Sequence, residues 1–198
     1  MKNTLAKIII CSIIVAQFTS CKKALDNLIN KEQPTNTFIH HTIKAGQHSS
    51  NNSVIKSGEF SELNFIVKFD NSAVYTTADP ANQKDINKLY GFADNNDHHQ
   101  QFSARIGWRW SDGALRLFGY VYNNGIVDYK EITNVEIGTE INCTIKAATD
   151  QYIFSVNDRQ ISMNRASKTI AATGYKLFPY FGGDEVAPHD IHIWIKEK

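Results

Sequence analysis

The chain has 198 residues, with 21 Lys and Arg against 20 Asp and Glu, 42% hydrophobic residues and 11% aromatics. A net charge of +1 excludes a nucleic-acid binder that works through a broad basic surface, and 11 glycines with 4 prolines exclude collagen and Pro/Gly-rich disorder. Length and apolar content suffice for one or two domains with a proper core. At the start of the chain, Lys2 and Lys7 stand with no acid before an apolar run over residues 8–18. Eleven helical residues rise roughly 16 Å, about half the hydrocarbon thickness of a bilayer. Residues 1–20 therefore read as a secretory signal peptide rather than a membrane anchor.

The segment Phe18-Thr19-Ser20-Cys21 resembles the lipobox of bacterial lipoproteins, with Phe18 where leucine is usual. The resemblance implies cleavage before Cys21, acylation of Cys21 (palmitate among the chains) and attachment of an exported chain to the membrane. Each buried methylene adds about 0.8 kcal/mol to such an anchor. Lys22 in the second mature position resembles lipoproteins that are not retained at the inner membrane, which implies the outer membrane of the cell envelope. Loss of Lys2 and Lys7 leaves 19 bases against 20 acids. No later segment approaches about 18 consecutive apolar residues. Of the three cysteines, Cys11 leaves with the signal and Cys21 is acylated, so Cys143 remains alone, on the same alternating face as Ile141 and Ile145. A buried small apolar residue is expected there rather than a catalytic thiol.

Residues 21–36 are polar and include Pro34, the composition of a tether, with a short helical turn expected around Leu25 to Ile29. Residues 37–198 form one domain with no internal repeat. Its apolar residues alternate: Leu63, Phe65, Val67 and Phe69; Phe102, Ala104, Ile106, Trp108 and Trp110; Leu115, Leu117 and Val121; Ile141, Cys143, Ile145 and Ala147; Ile191, Ile193 and Ile195. A period of two repeated this often predicts half-buried strands. Ser111-Asp112-Gly113, Asn123-Asn124-Gly125 and Asn157-Asp158-Arg159 supply turns at sandwich-like spacing. The fold class is all-β, an antiparallel β-sandwich.

From Val135 to Met163 a Gly-led strand is followed by Tyr152-Ile153-Phe154-Ser155-Val156 and an Asn-containing turn. This stretch resembles the central hairpin of concanavalin A-like jelly rolls, the laminin-G, lectin and glucanase superfamily. Asp190-Ile191-His192-Ile193-Trp194-Ile195 is similar to that superfamily's last strand, and Tyr175-Lys176-Leu177-Phe178-Pro179-Tyr180 to an aromatic strand of jelly-roll polysaccharide lyases. The resemblance implies a jelly roll. It leaves activity open, because one fold hosts lectins, hydrolases, lyases and adhesion modules.

If Trp108 and its partners point inward, Arg105, Arg109, Arg116, Phe118, Tyr120 and Tyr122 point outward from two strands joined at Ser111-Asp112-Gly113. Side chains opposed across such a pair lie about 5 Å apart. Aromatic rings stack on pyranose faces and guanidinium forks hold hydroxyls or carboxylates, so Arg105, Arg109, Arg116, Tyr120 and Tyr122 are the candidate ligand-binding residues, on an open face. Tyr90, Lys176 and Tyr180 are placed to extend it; the competing reading packs the aromatic residues under a loop.

Residues 94–99, Asp-Asn-Asn-Asp-His-His, read as a polar loop. Adjacent histidines rarely serve one zinc ion, whereas Asp94, Asn96 and Asp97 are an oxygen set of the kind Ca2+ prefers. No cofactor is otherwise expected. Asp184, Glu185 and Asp190 lie in a Gly182-Gly183 loop where Asp190 can cap backbone amides, and the paired-carboxylate motif of retaining glucanases is absent.

Three functions follow. The first is an exported, lipid-anchored domain that binds a glycan and no nucleic acid. The second is a polysaccharide lyase acting on uronic-acid glycans. There Arg105 neutralises the carboxylate, His98 or His99 takes the proton and Tyr120 or Tyr180 donates to the leaving oxygen. The third is a structural envelope lipoprotein that contacts another protein.

Overall fold

The computed structural model describes residues 37–198. The signal peptide, Cys21, the tether and the helical turn expected near Leu25 lie outside the described residues. Among the described residues twelve strands form two six-stranded sheets, and every strand pair is antiparallel. The first sheet contains β1 (Ile39–Ile43), β3 (Glu62–Phe69), β8 (Ile141–Ala147), β9 (Gln151–Val156), β10 (Arg159–Asn164) and β12 (Ile191–Glu197), in the order β1-β12-β3-β8-β9-β10. The second contains β2 (Ser57–Phe60), β4 (Asn87–Ala93), β5 (Phe102–Ser111), β6 (Ala114–Asn123), β7 (Ile126–Val135) and β11 (Ala172–Leu177), in the order β2-β11-β4-β5-β6-β7.

The alternation read from the sequence decides what lies between the sheets. Phe65, Val67 and Phe69 from β3, Ile145 from β8 and Ile191 and Ile193 from β12 meet Ala104, Ile106, Trp108 and Leu117 of the second sheet. All of these are buried, and each large apolar side chain removed from water contributes about 1.5–3 kcal/mol. Trp108 packs against Phe69 and edge-on against Tyr75. Cys143 lies in the same core, where burial pushes its thiol pKa far up, so it is an apolar filler as expected.

Two hairpin turns set the registers that matter for the site. Asp112 and Gly113, and then Asn124 and Gly125, all adopt positive φ, the requirement of tight two-residue turns matched to sheet twist. They place Arg105 opposite Tyr120 and Tyr120 opposite Tyr129. A register shift between Lys88 and Tyr90 breaks the period of β4. It turns Tyr90 into the core, where it meets Phe65 edge-on, while Lys88 stays on the outer face.

Candidate functional site

The outer face of the second sheet carries a small aromatic cluster of its own, made by Ile86, Phe118 and Tyr120 with Tyr122 against it. Two cations flank Tyr120. The Lys88 Nζ lies 4.8 Å from the ring centroid and the Arg105 guanidinium carbon 5.3 Å from it. Tyr122 meets Tyr120 edge-on at 5.8 Å, and Tyr129 of β7 stacks parallel at 6.5 Å.

Arg105 sits at the floor of this face. It is only 6% exposed, its Nε has no hydrogen-bond partner, and no acidic side chain among the described residues forms an ion pair with it. Ser103, two residues back on the same face of β5, also has a buried hydroxyl without a partner. Room for Arg105 comes from the strand beside it. A Cβ on Gly91 would stand 2.1 Å from the Ala104 carbonyl and 2.7 Å from the Arg105 Cα. Burial lowers the pKa of the guanidinium. Burial, and then repulsion from Arg105, bring the Lys88 ammonium down to about 8. Asp85 offsets only part of the burden on Lys88, and Arg105 has no acidic ion-pair partner among the described residues, so the two cations are poorly compensated.

A cleft of about 470 Å³ opens beside Arg105, lined also by His98, His99, Tyr175 and Tyr180. The His99 Nδ1 lies 2.9 Å from the Tyr175 hydroxyl. Burial and the neighbouring Arg105 push its imidazole down to about 4, so it is neutral at ordinary pH. Tyr180 is 38% exposed, stacks on His48 and is tied to Lys88 by two reciprocal backbone hydrogen bonds. Burial, with Tyr122 beside it, drives the Tyr120 phenol upward.

Several sequence expectations need correction. The face is not an open array: Arg105 and Tyr120 are sunk into it because Lys88, Tyr122 and Tyr129 close around them. Arg116 is already engaged, its Nη1 2.9 Å from Glu131 and its Nη2 3.6 Å from Asp112. Arg109 donates to the Lys84 carbonyl and the Ser111 hydroxyl and lies over Phe118, at the far end of the hairpin from Tyr122. Tyr90 and Lys176 do not extend the face, because both hydrogen-bond to Glu197 of the first sheet.

The oxygen set considered for Ca2+ is split. Asp94 is fully buried and its carboxylate receives hydrogen bonds from Arg165, Tyr152 and Ser167, while Asn96 and Asp97 face solvent. Among the described residues, no group of three His, Cys, Asp or Glu converges as a metal site. Asp190 caps the Ala45 amide and pairs with Lys44, and Glu185 accepts from the Ala78 and Asp79 amides, so both serve the loop structure. Lys88, Ser103 and Tyr175 were missed as site residues. Lys88 precedes the bulge and keeps the outward parity of plain alternation, but no pattern sets it apart from other lysines, and Ser103 is one ordinary serine in an alternating strand.

No protein-family model matches the chain, and no curated protein matches it. Solved structures do. Alginate lyase vAL-1 from Chlorella virus superposes with a TM-score of 0.53 at 12% identity, over 84% of this chain and 87% of that one. The fold is a concanavalin A-like jelly roll. Alginate lyase AlyC3 in complex with dimannuronate gives 0.55 at 9% identity, over 81% and 73%. A Bacteroides ovatus glycoside hydrolase of family 16, bound to a mixed-linkage glucan product, gives 0.53 at 11% identity, over 84% and 83%.

Proposed function

We propose that the outer face of the second sheet binds an acidic polysaccharide, with Arg105 receiving the carboxylate of a uronic-acid unit. One observation carries the reading: a guanidinium almost wholly withdrawn from water, with an unpaired Nε and, among the described residues, no acid in an ion pair with it. A sugar carboxylate supplies two oxygens to the guanidinium fork. Lys88 adds a second positive charge, Ser103 a hydroxyl, and Tyr122 and Tyr180 partly exposed rings for the pyranose faces. Dimannuronate, the ligand of one structural neighbour, is a ligand of this chemical type. Retardation of the purified chain in gels cast with a uronate polymer tests the reading. Retardation is expected to vanish in Arg105→Met and to stay small in gels cast with a neutral glucan; equal retardation of wild type and variant overturns it.

A second reading, uronate lyase, is favoured by the presence of Arg105, His99 and Tyr180 in one cleft. In it His99, neutral at ordinary pH, takes the proton alpha to the carboxylate. The C–H electron pair becomes the new C=C bond as the glycosidic C–O bond breaks. Tyr180 or Tyr120 gives its proton to the departing oxygen. The unsaturated product absorbs in the ultraviolet, so a steady absorbance rise with uronate polymer, lost in Tyr180→Phe, establishes the lyase. Retardation without that rise leaves a binding module.

Export and attachment through acylated Cys21, to the outer membrane, belong to the same proposal and rest on the N-terminal sequence alone. Labelling with a fatty-acid analogue is expected in wild type and lost in Cys21→Ser; label retained in the variant overturns the anchor.

A further inference from the structure

The outer face of the first sheet carries an arrangement that glycan binding does not use. On β1 and β12, His40 stands opposite Trp194 and Thr42 opposite His192, so the two histidines are diagonal neighbours across one strand pair. The His40 Nε2 lies 3.1 Å from the His192 Nδ1, and the Thr42 Oγ1 lies 3.4 Å and 3.3 Å from these nitrogens. Three donor atoms thus make a nearly equilateral triangle. Two imidazole nitrogens bound at about 2.0–2.1 Å to a tetrahedral ion are separated by roughly 3.3–3.4 Å, so the observed triangle matches one face of such a coordination sphere to within a few tenths of an ångström.

We propose that His40 and His192, with the Thr42 hydroxyl beside them, bind a divalent transition-metal ion of the imidazole-preferring class, Zn2+ or Cu2+. The His40 ring and the His192 backbone are held before the ion arrives. The Trp194 indole stacks on His40 at 4.7 Å with only 8° between the planes, and the His192 backbone amide donates to the Ser72 hydroxyl at 2.8 Å. Ser72 is itself fixed by the Asp70 carboxylate. The two nitrogens lie at hydrogen-bond distance from each other, and the ion would take the place of that hydrogen bond. Solvent completes the coordination on the exposed side, where His40 lies open. Imidazole donors select Zn2+ and Cu2+ over Mg2+ and Ca2+, and Cu2+ binds the tighter of the two. The ion would clamp β1, the edge strand that follows the N-terminal segment, onto β12.

The test titrates the purified full chain with Zn2+ by calorimetry and with Cu2+ by electron paramagnetic resonance, in a non-coordinating buffer. One equivalent is expected to bind, with hyperfine coupling to two nitrogens for Cu2+ and a rise in melting temperature. His40→Ala and His192→Ala are each expected to weaken binding by at least about tenfold, the scale on which even outer partners of a ligand act. His98→Ala, which breaks the other histidine pair, is expected to leave it unchanged. Absence of stoichiometric uptake by the wild type overturns the proposal, as does uptake that survives in the His40→Ala/His192→Ala double variant or disappears in His98→Ala. His40 is exposed, so His40→Ala keeps the fold and isolates the ligand effect.

Discussion

Two buried arginines in this domain have opposite surroundings. Arg165 and Asp94 are both fully buried and joined at 2.8 Å, and the same guanidinium also reaches the Ala148 and Thr169 carbonyls. Tyr152 adds its hydroxyl to Asp94 at 2.6 Å. Burial alone would raise the Asp94 pKa, but these hydrogen bonds outweigh it and hold the carboxyl below its ordinary range. Arg105 is nearly as buried and has none of this: its neighbours are a second cation and phenol rings. The first arginine is complete and locks the segment before β11 against the loop after β4. The second has no acidic partner among the described residues, and the proposed function gives it one in a ligand's carboxylate. Burial of a charge marks function only when the census of its partners fails to close.

The sharpest way to break this contrast is to remove each arginine. Arg165→Ala leaves Asp94 buried and unpaired and is expected to cost about 3–5 kcal/mol in chemical denaturation. Gly91→Ala forces a methyl group into the Ala104 carbonyl and the Arg105 backbone, so a loss of about 1–3 kcal/mol is expected, together with loss of retardation by uronate polymer. Arg105→Met should abolish that retardation while leaving stability unchanged or raised by about 0.5–2 kcal/mol, as when a functional site gives up strain. A loss of several kcal/mol in Arg105→Met would make the two arginines alike and end the comparison.

The contrast also predicts a pH dependence. The Lys88 ammonium titrates at about 8 in the folded protein against an ordinary 10.5. Between those values the unfolded chain holds more protons, so stability rises with pH across that window. Denaturation curves below and above it should show the rise in wild type and a flatter profile in Lys88→Met. Affinity for a uronate polymer should move the other way, falling as pH passes about 8 and the Lys88 charge is lost.

The sandwich was legible because a half-buried strand must alternate: every inward residue named from β3 and β12, and Ile141, Cys143 and Ile145 from β8, is buried. The turns at Asp112 and Asn124 were legible because few residues other than Asn, Asp and Gly tolerate positive φ. The site was only half legible. Alternation put Arg105, Tyr120 and Arg116 on one face, but it cannot tell an arginine left without an acid from one that Glu131 has already claimed. It also mistook Tyr90 for an outward residue, since a single bulge in β4 reverses the parity of everything after it.

The two tight turns that join β5 to β6 and β6 to β7 also constrain how this protein can change over generations. Side chains on the face can be exchanged one at a time, whereas chain length at either end of these hairpins is quantised. Insertion of a single residue there would shift one strand's pairing against the other, unless a bulge of the kind already present between β6 and β7 absorbed it. Divergence among descendants of this chain should therefore appear as substitution within the hairpins, with length variation pushed out into segments such as 94–101, which join strands without fixing their parity.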